Sequence, residues 1–179
     1  MKKQVSLFFA MALLMSVALV GCKVGAEDPG LTFSSRDGRI MRAWNLTGYD
    51  RVSVDSSDLG VFTTTESLAN GIRTRTDFFG SSTESYALVI TLDKGGKLMT
   101  TETNDGDVTE EVDYWEWLSA DKNKSEVVVG GGTDAAGIWS ILRLTSKELI
   151  LERNTSELNT NNGDQSLSTD SYKLTFAAQ

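Results

Sequence analysis

Short apolar segments along this chain are separated by clusters of glycine, asparagine and aspartate, a pattern typical of β-strands joined by turns. The clearest case lies between 84 and 103. Large apolar residues occupy every second position from Tyr86 to Leu92, which puts them on one face of a strand. The sequence Asp-Lys-Gly-Gly follows at 93–96 and tolerates the backbone conformations of a tight turn, and the chain returns from 97 to 103. The pattern therefore predicts a β-hairpin.

Further segments of this kind predict a single all-β domain. Nine candidate strands share runs of β-branched and aromatic residues bounded by turn-forming residues. They are 40–49, 71–79, 84–92, 97–103, 108–118, 126–129, 137–144, 148–153 and 171–177. The pattern is weakest in the candidate strand 71–79. The segment 50–70 fits a strand, a short helix or a long loop, and 154–168 is predicted to be a polar loop.

The order of these segments predicts how the sheet is arranged. Consecutive hairpins without crossover helices imply an antiparallel up-and-down meander, and closing it removes exposed strand edges. We therefore expect one antiparallel up-and-down β-barrel of about eight strands, which encloses either a core or one small ligand. The barrel domain is predicted to span 39–179.

The first 22 residues follow another pattern. Lys2 and Lys3 precede an uncharged, largely apolar run from 5 to 20, which is the build of a secretory signal and is shorter than the ~20 residues of a membrane-spanning helix. The stretch 22–38 is small, polar and charged and holds the only proline of the chain. We expect a cleaved signal peptide at 1–21 and a flexible tether at 22–38.

Composition removes several classes of function. The chain has no histidine and a single cysteine, which excludes Ser-His and Cys-His catalysis, histidine-ligated metals and internal disulfides. Its 17 basic and 25 acidic residues give a net charge of −8, whereas a nucleic-acid binder needs a basic surface. We expect no nucleic-acid partner, no metal and no cofactor.

The residues around the single cysteine resemble the lipobox of bacterial lipoproteins. Leu19-Val20-Gly21-Cys22 places small residues before a cysteine, directly behind the apolar run. The resemblance implies that the thiol of Cys22 accepts a diacylglyceryl group and that its acyl chains anchor the protein to a membrane. Lys23 follows the cysteine, and the absence of aspartate there implies the outer membrane of the cell envelope, on its periplasmic or its surface side. The alternative is an ordinary cleavable signal with an incidental cysteine.

Landmarks further along resemble the lipocalin-like lipoproteins common in Bacteroidetes. In chain order they are Asp28-Pro29, Ser35-Arg36, Trp44, the glycine-turn hairpin at 86–97, Trp115 with Trp117, and the segment 141–151. The resemblance implies a small barrel on a lipid tether, with Trp44 as a structural plug at its closed end. In that family an arginine near the C-terminus packs over this tryptophan, whereas the last predicted strand here offers Lys173.

Five aromatic residues are candidates for contact with a small apolar or aromatic ligand: Trp115, Trp117, Trp139, Tyr114 and Tyr86. Strand alternation puts Trp115 and Trp117 on one face, where two indoles either pack a core or line a cleft. The sequence does not decide which face is inside, because acidic residues occupy both faces of 108–118.

The acidic residues of this strand raise the question of an enzyme. Glu111 and Asp113 share the face of the two indoles, and Glu110 and Glu116 share the other. A glycosidase needs two carboxyl groups on opposite sides of a bond. Because acidic runs are mostly solvated, we expect no catalytic residues and no enzyme activity.

Two functions remain as hypotheses. The first is a membrane-anchored, non-enzymatic lipocalin-like lipoprotein that holds a small apolar or aromatic ligand. The second is an envelope interaction lipoprotein whose barrel is filled by its own side chains and whose surface docks a protein partner. An internal cavity distinguishes the first from the second.

Overall fold

The computed structural model describes residues 35–57, 60–118, 123–130, 136–161 and 164–179. The predicted signal peptide, Cys22 and most of the predicted tether lie outside the described residues. Within the described ranges the chain forms one short helix and ten strands.

Helix α1 spans Arg36–Ile40. The strands that follow are β1 (Ala43–Ser57), β2 (Gly60–Ala69), β3 (Ile72–Asp77), β4 (Gly80–Leu92), β5 (Lys97–Asn104), β6 (Asp107–Trp117), β7 (Glu126–Val129), β8 (Gly137–Leu144), β9 (Glu148–Asn161) and β10 (Asp164–Ala178).

These strands form one closed antiparallel barrel. Each strand pairs with its neighbour in the chain, and β10 pairs with β1 to close the ring. The all-β class and the closed antiparallel barrel are therefore confirmed. The prediction of about eight strands is wrong, because the barrel has ten.

The segment 50–70, which the sequence left open between a strand, a short helix and a long loop, contains the end of β1 and the strand β2. The sequence pattern does not single out β2. Most of its residues are polar or exposed, so no alternation of apolar residues marks it. A tight turn at Asn70-Gly71, where both residues have positive φ (53° and 76°), connects β2 to β3. This hairpin stops short of one end of the barrel: there the first residues of β1, Ala43 to Asn45, pair directly with β4. The ring at that end consists of the other eight strands.

The predicted polar loop at 154–168 is also wrong. β9 and β10 remain paired in continuous register through this segment, from Glu148 opposite Ala177 to Asn161 opposite Asp164. The cause is that the ladder of backbone hydrogen bonds, together with cross-strand pairs such as Leu158 opposite Leu167, holds these strands without burial in a core.

The start of the domain differs from the prediction as well. Residues 36–40 form α1, and β1 begins at Ala43. The sequence pattern divides these residues between the flexible tether and the first strand. Ser35 caps the helix, since its Oγ accepts a hydrogen bond from the Gly38 amide at 3.1 Å.

The hydrophobic core fills the end of the barrel that α1 covers, which we call the closed end. Trp44, Leu144 and Leu149 have no exposed surface there. The indole Nε1 of Trp44 donates a hydrogen bond to the Ile40 carbonyl at 2.9 Å. The guanidinium of Arg42 lies 5.6 Å from the centroid of the Trp44 ring. The arginine over this tryptophan therefore comes from the chain directly before it, and not from the closing strand.

A polar contact fastens α1 to the closed end. The carboxylate of Asp37 accepts hydrogen bonds from Lys124 Nζ at 2.6 and 2.7 Å and from Trp117 Nε1 at 2.7 Å. The hydrogen bond from Lys124 lowers the pKa of Asp37, against the opposing effect of burial. The ionised carboxylate therefore stabilises the position of the helix.

Candidate ligand-binding cavity

Between the core and the opposite, open end, the barrel encloses a cavity of about 620 Å³. Pockets for small organic ligands typically measure roughly 300–1,000 Å³. The inward-facing residues of β1 to β6, β8 and β10 line the cavity and form three kinds of surface: an apolar floor, a wall of paired charges and a wall of unpaired acids.

The apolar floor consists of four leucines and one tryptophan. Leu98 and Trp139 belong to the buried core itself, and Leu46, Leu88 and Leu174 pack against it. Trp139 lies with its ring centroid 5.9 Å from that of Tyr172, in an edge-to-face arrangement. The floor offers a ligand an apolar surface that is already in place.

The paired wall begins with Arg51 on β1. Its Nε and Nη2 donate to Asp170 Oδ1 at 3.1 and 3.0 Å, and its Nη1 lies 3.5 Å from Glu66 Oε1. The other oxygen of Glu66 accepts a hydrogen bond from the Tyr49 hydroxyl at 3.0 Å. The Arg51 guanidinium also lies 5.1 Å from the ring centroid of Tyr172, a cation–π distance.

Arg73 on β3 repeats this arrangement. Its Nε donates to Glu84 Oε1, and its guanidinium lies 4.0 Å from the ring centroid of Tyr86. Arg75, two residues further on, is 3.7 Å from the carboxylate of Asp77 and is largely exposed. Each arginine on this wall therefore has a carboxylate partner.

Burial raises the pKa values of the two tyrosines Tyr49 and Tyr86 on this wall. It raises the pKa of Tyr86 to about 12, and the nearby charge of Glu102 adds to the effect. Burial also raises the pKa of Tyr49, assisted by Glu66. For Arg51 burial alone lowers the pKa, but the hydrogen bond to Asp170 contributes to a net increase. The tyrosines therefore remain neutral and Arg51 remains charged at neutral pH.

The adjacent wall, formed by β5 and β6, carries the three carboxylates Glu102, Glu111 and Asp113. Among the described residues, no cationic side chain forms an ion pair with any of the three. Asp113 Oδ1 accepts a hydrogen bond from the Tyr114 amide at 2.7 Å, while its Oδ2 is buried without a hydrogen-bond partner. We call these three residues the acidic wall.

Of the five aromatic candidates from the sequence, two line the cavity: Tyr86 and Trp139. Trp115 is only 5% exposed and lies in the core beneath the cavity. Trp117 lies beside it, with ring centroids 5.8 Å apart, and contacts Asp37 at the closed end. Tyr114 is 55% exposed on the outer face of β6. The structure also shows that the indole face of β6 points inward, which the sequence left open.

Sequence reasoning missed the charged residues of the paired wall. A signal for them exists, because Tyr49 and Arg51, Arg73 and Arg75, and Glu84 and Tyr86 each stand two positions apart. Side chains at that spacing share one face of a strand. Long polar side chains alternating with small ones therefore indicate a polar lumen in the same way that apolar alternation indicates a core.

Two features are absent from the described residues. No group of three or more histidine, cysteine, aspartate or glutamate side chains among them is arranged to hold a metal ion. In the same part of the chain, no helix has the length and apolar character to cross a membrane.

Comparison with known protein families, with characterised proteins and with solved structures finds no match to this chain.

Proposed function

We propose that the protein is a membrane-anchored, non-enzymatic, lipocalin-like lipoprotein that binds a small ligand with an apolar part inside its barrel. The observation that carries the proposal is the cavity of about 620 Å³, which has an apolar floor and polar walls. An apolar surface with a few placed polar groups is the usual composition of a small-molecule site.

A probe of the cavity tests this proposal. The chain from Lys23 to Gln179 retains every described residue, and N-phenyl-1-naphthylamine fluoresces strongly only in apolar surroundings. We expect saturable binding of this probe. The substitution Thr100→Trp places a large side chain in the lumen and should abolish binding, because Thr100 lines the cavity.

Thr101→Trp is the matched control, since Thr101 is the next residue of β5 and points to the outer face. Binding to this variant should equal binding to the parent chain. Absence of saturable binding, or an equal loss in both variants, would contradict the proposal.

The proposed anchor is a lipid on Cys22, in the outer membrane. It is supported by the position of the single cysteine behind Leu19-Val20-Gly21 and an apolar run. In the bacterial cell, Cys22→Ser should move the protein from the membrane pellet to the soluble fraction. A Cys22→Ser protein that stays in the pellet would refute the lipid anchor.

The docking surface of the second hypothesis is supported by a different feature. Phe78 and Phe79 at the turn between β3 and β4 are 78% and 93% exposed, and Phe62 lies beside them with its ring centroid 6.3 Å from that of Phe78. Exposed apolar clusters often mark contact surfaces. Phe78→Ser with Phe79→Ser should abolish a partner complex without changing probe binding in the lumen.

A further inference from the structure

We propose that the ligand is a small amphiphilic cation, a protonated amine carried on an apolar body. The inference rests on the proposed ligand-binding function and adds the chemical class of the ligand. It follows from the difference between the two polar walls of the cavity.

The first step is the charge of the lining. Three arginines and five carboxylates line the cavity, so the lining carries a net charge of −2. Arg51 and Arg73 are each held by carboxylates, and Arg75 lies near Asp77. These three arginines therefore have little attraction left for an anionic ligand. A fourth, Arg153, lies outside the lining, with its guanidinium 5.5 Å from the ring centroids of Trp139 and Tyr172.

The second step is the geometry of the acidic wall. In the register of β5 and β6, Leu98 lies opposite Asp113, Thr100 opposite Glu111, and Glu102 opposite Thr109. Same-face positions two residues apart along a strand are separated by roughly 7 Å, and diagonal neighbours by a similar distance. The three carboxylates thus form a ladder of like charges, and each neighbouring pair lies within reach of one bound group.

The third step is the unused hydrogen-bonding capacity. Asp113 Oδ2 is buried and has no partner, a state that costs free energy unless a donor satisfies it. An ammonium group carries three donors and a positive charge, and it would complement the neighbouring negative charges of Asp113 and Glu111; rotation of the Asp113 carboxylate would bring its unpaired oxygen to the ligand.

The fourth step places the apolar part of the ligand. Leu98 forms part of the floor and is the cross-strand partner of Asp113, so the acidic wall begins at the edge of the apolar surface. A ligand whose amine contacts Asp113 and Glu111 can therefore lay its apolar body on Leu98 and the other floor leucines. A purely apolar ligand would leave the carboxylates facing an uncharged group.

Three eight-carbon probes with different head groups test the inference: octylammonium, octanol and octanoate. Binding to the chain from Lys23 to Gln179 is measured by calorimetry at pH 7. We expect octylammonium to bind about tenfold more tightly than octanoate, a difference of ~1.4 kcal/mol, with octanol between them. Glu102→Gln, Glu111→Gln and Asp113→Asn together should abolish this preference.

The matched control is Glu110→Gln with Glu116→Gln, because both residues are exposed on the outer face of β6. That variant should keep the preference for the amine. If the triple variant does not fold, Glu111→Gln alone, at an exposed position, should reduce the preference about threefold.

The outcomes separate the two proposals. If octanoate binds as tightly as octylammonium, or if the preference survives in the acidic-wall variants, the amine proposal is wrong while the ligand-binding proposal stands. If none of the three probes binds, both proposals are wrong.

Discussion

The two ends of the barrel share the long strands β1, β9 and β10, yet they differ in what holds them together. At the closed end Trp44, Leu144 and Leu149 are completely buried beneath α1. Toward the open end, the upper parts of β9 and β10 pair through their backbones, and Leu158 on the outer face is 63% exposed. One end is a packed core, and the other is a paired sheet around a polar lumen.

This difference separates stability from binding. Burial of apolar surface contributes most of the favourable free energy of folding, and nearly all of the fully buried side chains lie at the closed end. The residues of the lumen contribute less to stability, so their chemistry can serve a ligand.

Trp44→Ala should have the largest effect. It removes the largest fully buried side chain and the hydrogen bond to the Ile40 carbonyl, and truncations of this kind cost about 3–5 kcal/mol. Urea denaturation of the chain from Lys23 to Gln179 measures the change. A variant with an unchanged midpoint would contradict the role of Trp44 as the structural plug of the closed end.

A pair of leucine variants compares the two ends directly. Leu144→Ala removes a side chain with no exposed surface and should cost about 2–5 kcal/mol, whereas Leu158→Ala near the open end should change stability by less than about 0.5 kcal/mol. Thermal melts of both variants give the comparison. Equal losses would show that stability is spread evenly along the barrel.

Asp37→Asn tests the contact that fastens α1. The carboxylate is 41% exposed, so the ion pair is partly screened and its loss should cost about 1 kcal/mol at pH 7. Because Lys124 lowers the pKa of the folded-state carboxyl below 3.8, this stability is present above pH 3.8 and is lost as the pH falls through the folded-state value.

The free energies of unfolding of the parent chain and Asp37→Asn should therefore converge below pH 3.8. Denaturation midpoints between pH 3 and pH 7 provide the test. A difference that stays constant over this range would mean that the charge of Asp37 does not stabilise the closed end.

The smallest effect is expected at the open rim. Phe78→Ser with Phe79→Ser should change the free energy of unfolding by less than about 0.5 kcal/mol, since both side chains are mostly exposed. Urea denaturation checks this. A larger loss would mean that the phenylalanines pack against the barrel and contribute to its core.

The same difference explains what could be predicted from the sequence. The β4–β5 hairpin could be predicted from apolar alternation and its glycine turn. The residues beside that turn, Leu92 and Leu98, are buried in the core. By contrast, β2 and the segment 154–168 border solvent and lumen, and they lack an apolar pattern. A pattern of hydrophobic residues reports burial, so it finds strands of the core and misses strands held by backbone pairing.

The candidate site could be predicted only in part. The sequence identifies Tyr86 and Trp139 as aromatic candidates, but it does not identify Arg73, which lies over Tyr86, or Arg51, which lies over Tyr172. Contacts such as Arg51 with Asp170 join residues far apart in the chain, and barrel closure alone brings them together. The inward face of β6 depends on the same closure, because its alternation allows either choice.

The most direct test of the division between the two ends uses a bromine-labelled probe, 8-bromooctanol, whose heavy atom quenches tryptophan fluorescence on contact. Trp139 lines the cavity, whereas Trp117 lies at the closed end beside Asp37. We expect saturable quenching of the chain from Lys23 to Gln179 that is largely lost in Trp139→Phe and retained in Trp117→Phe. Quenching that does not saturate, or that survives in Trp139→Phe, would contradict a ligand-binding cavity above a structural core.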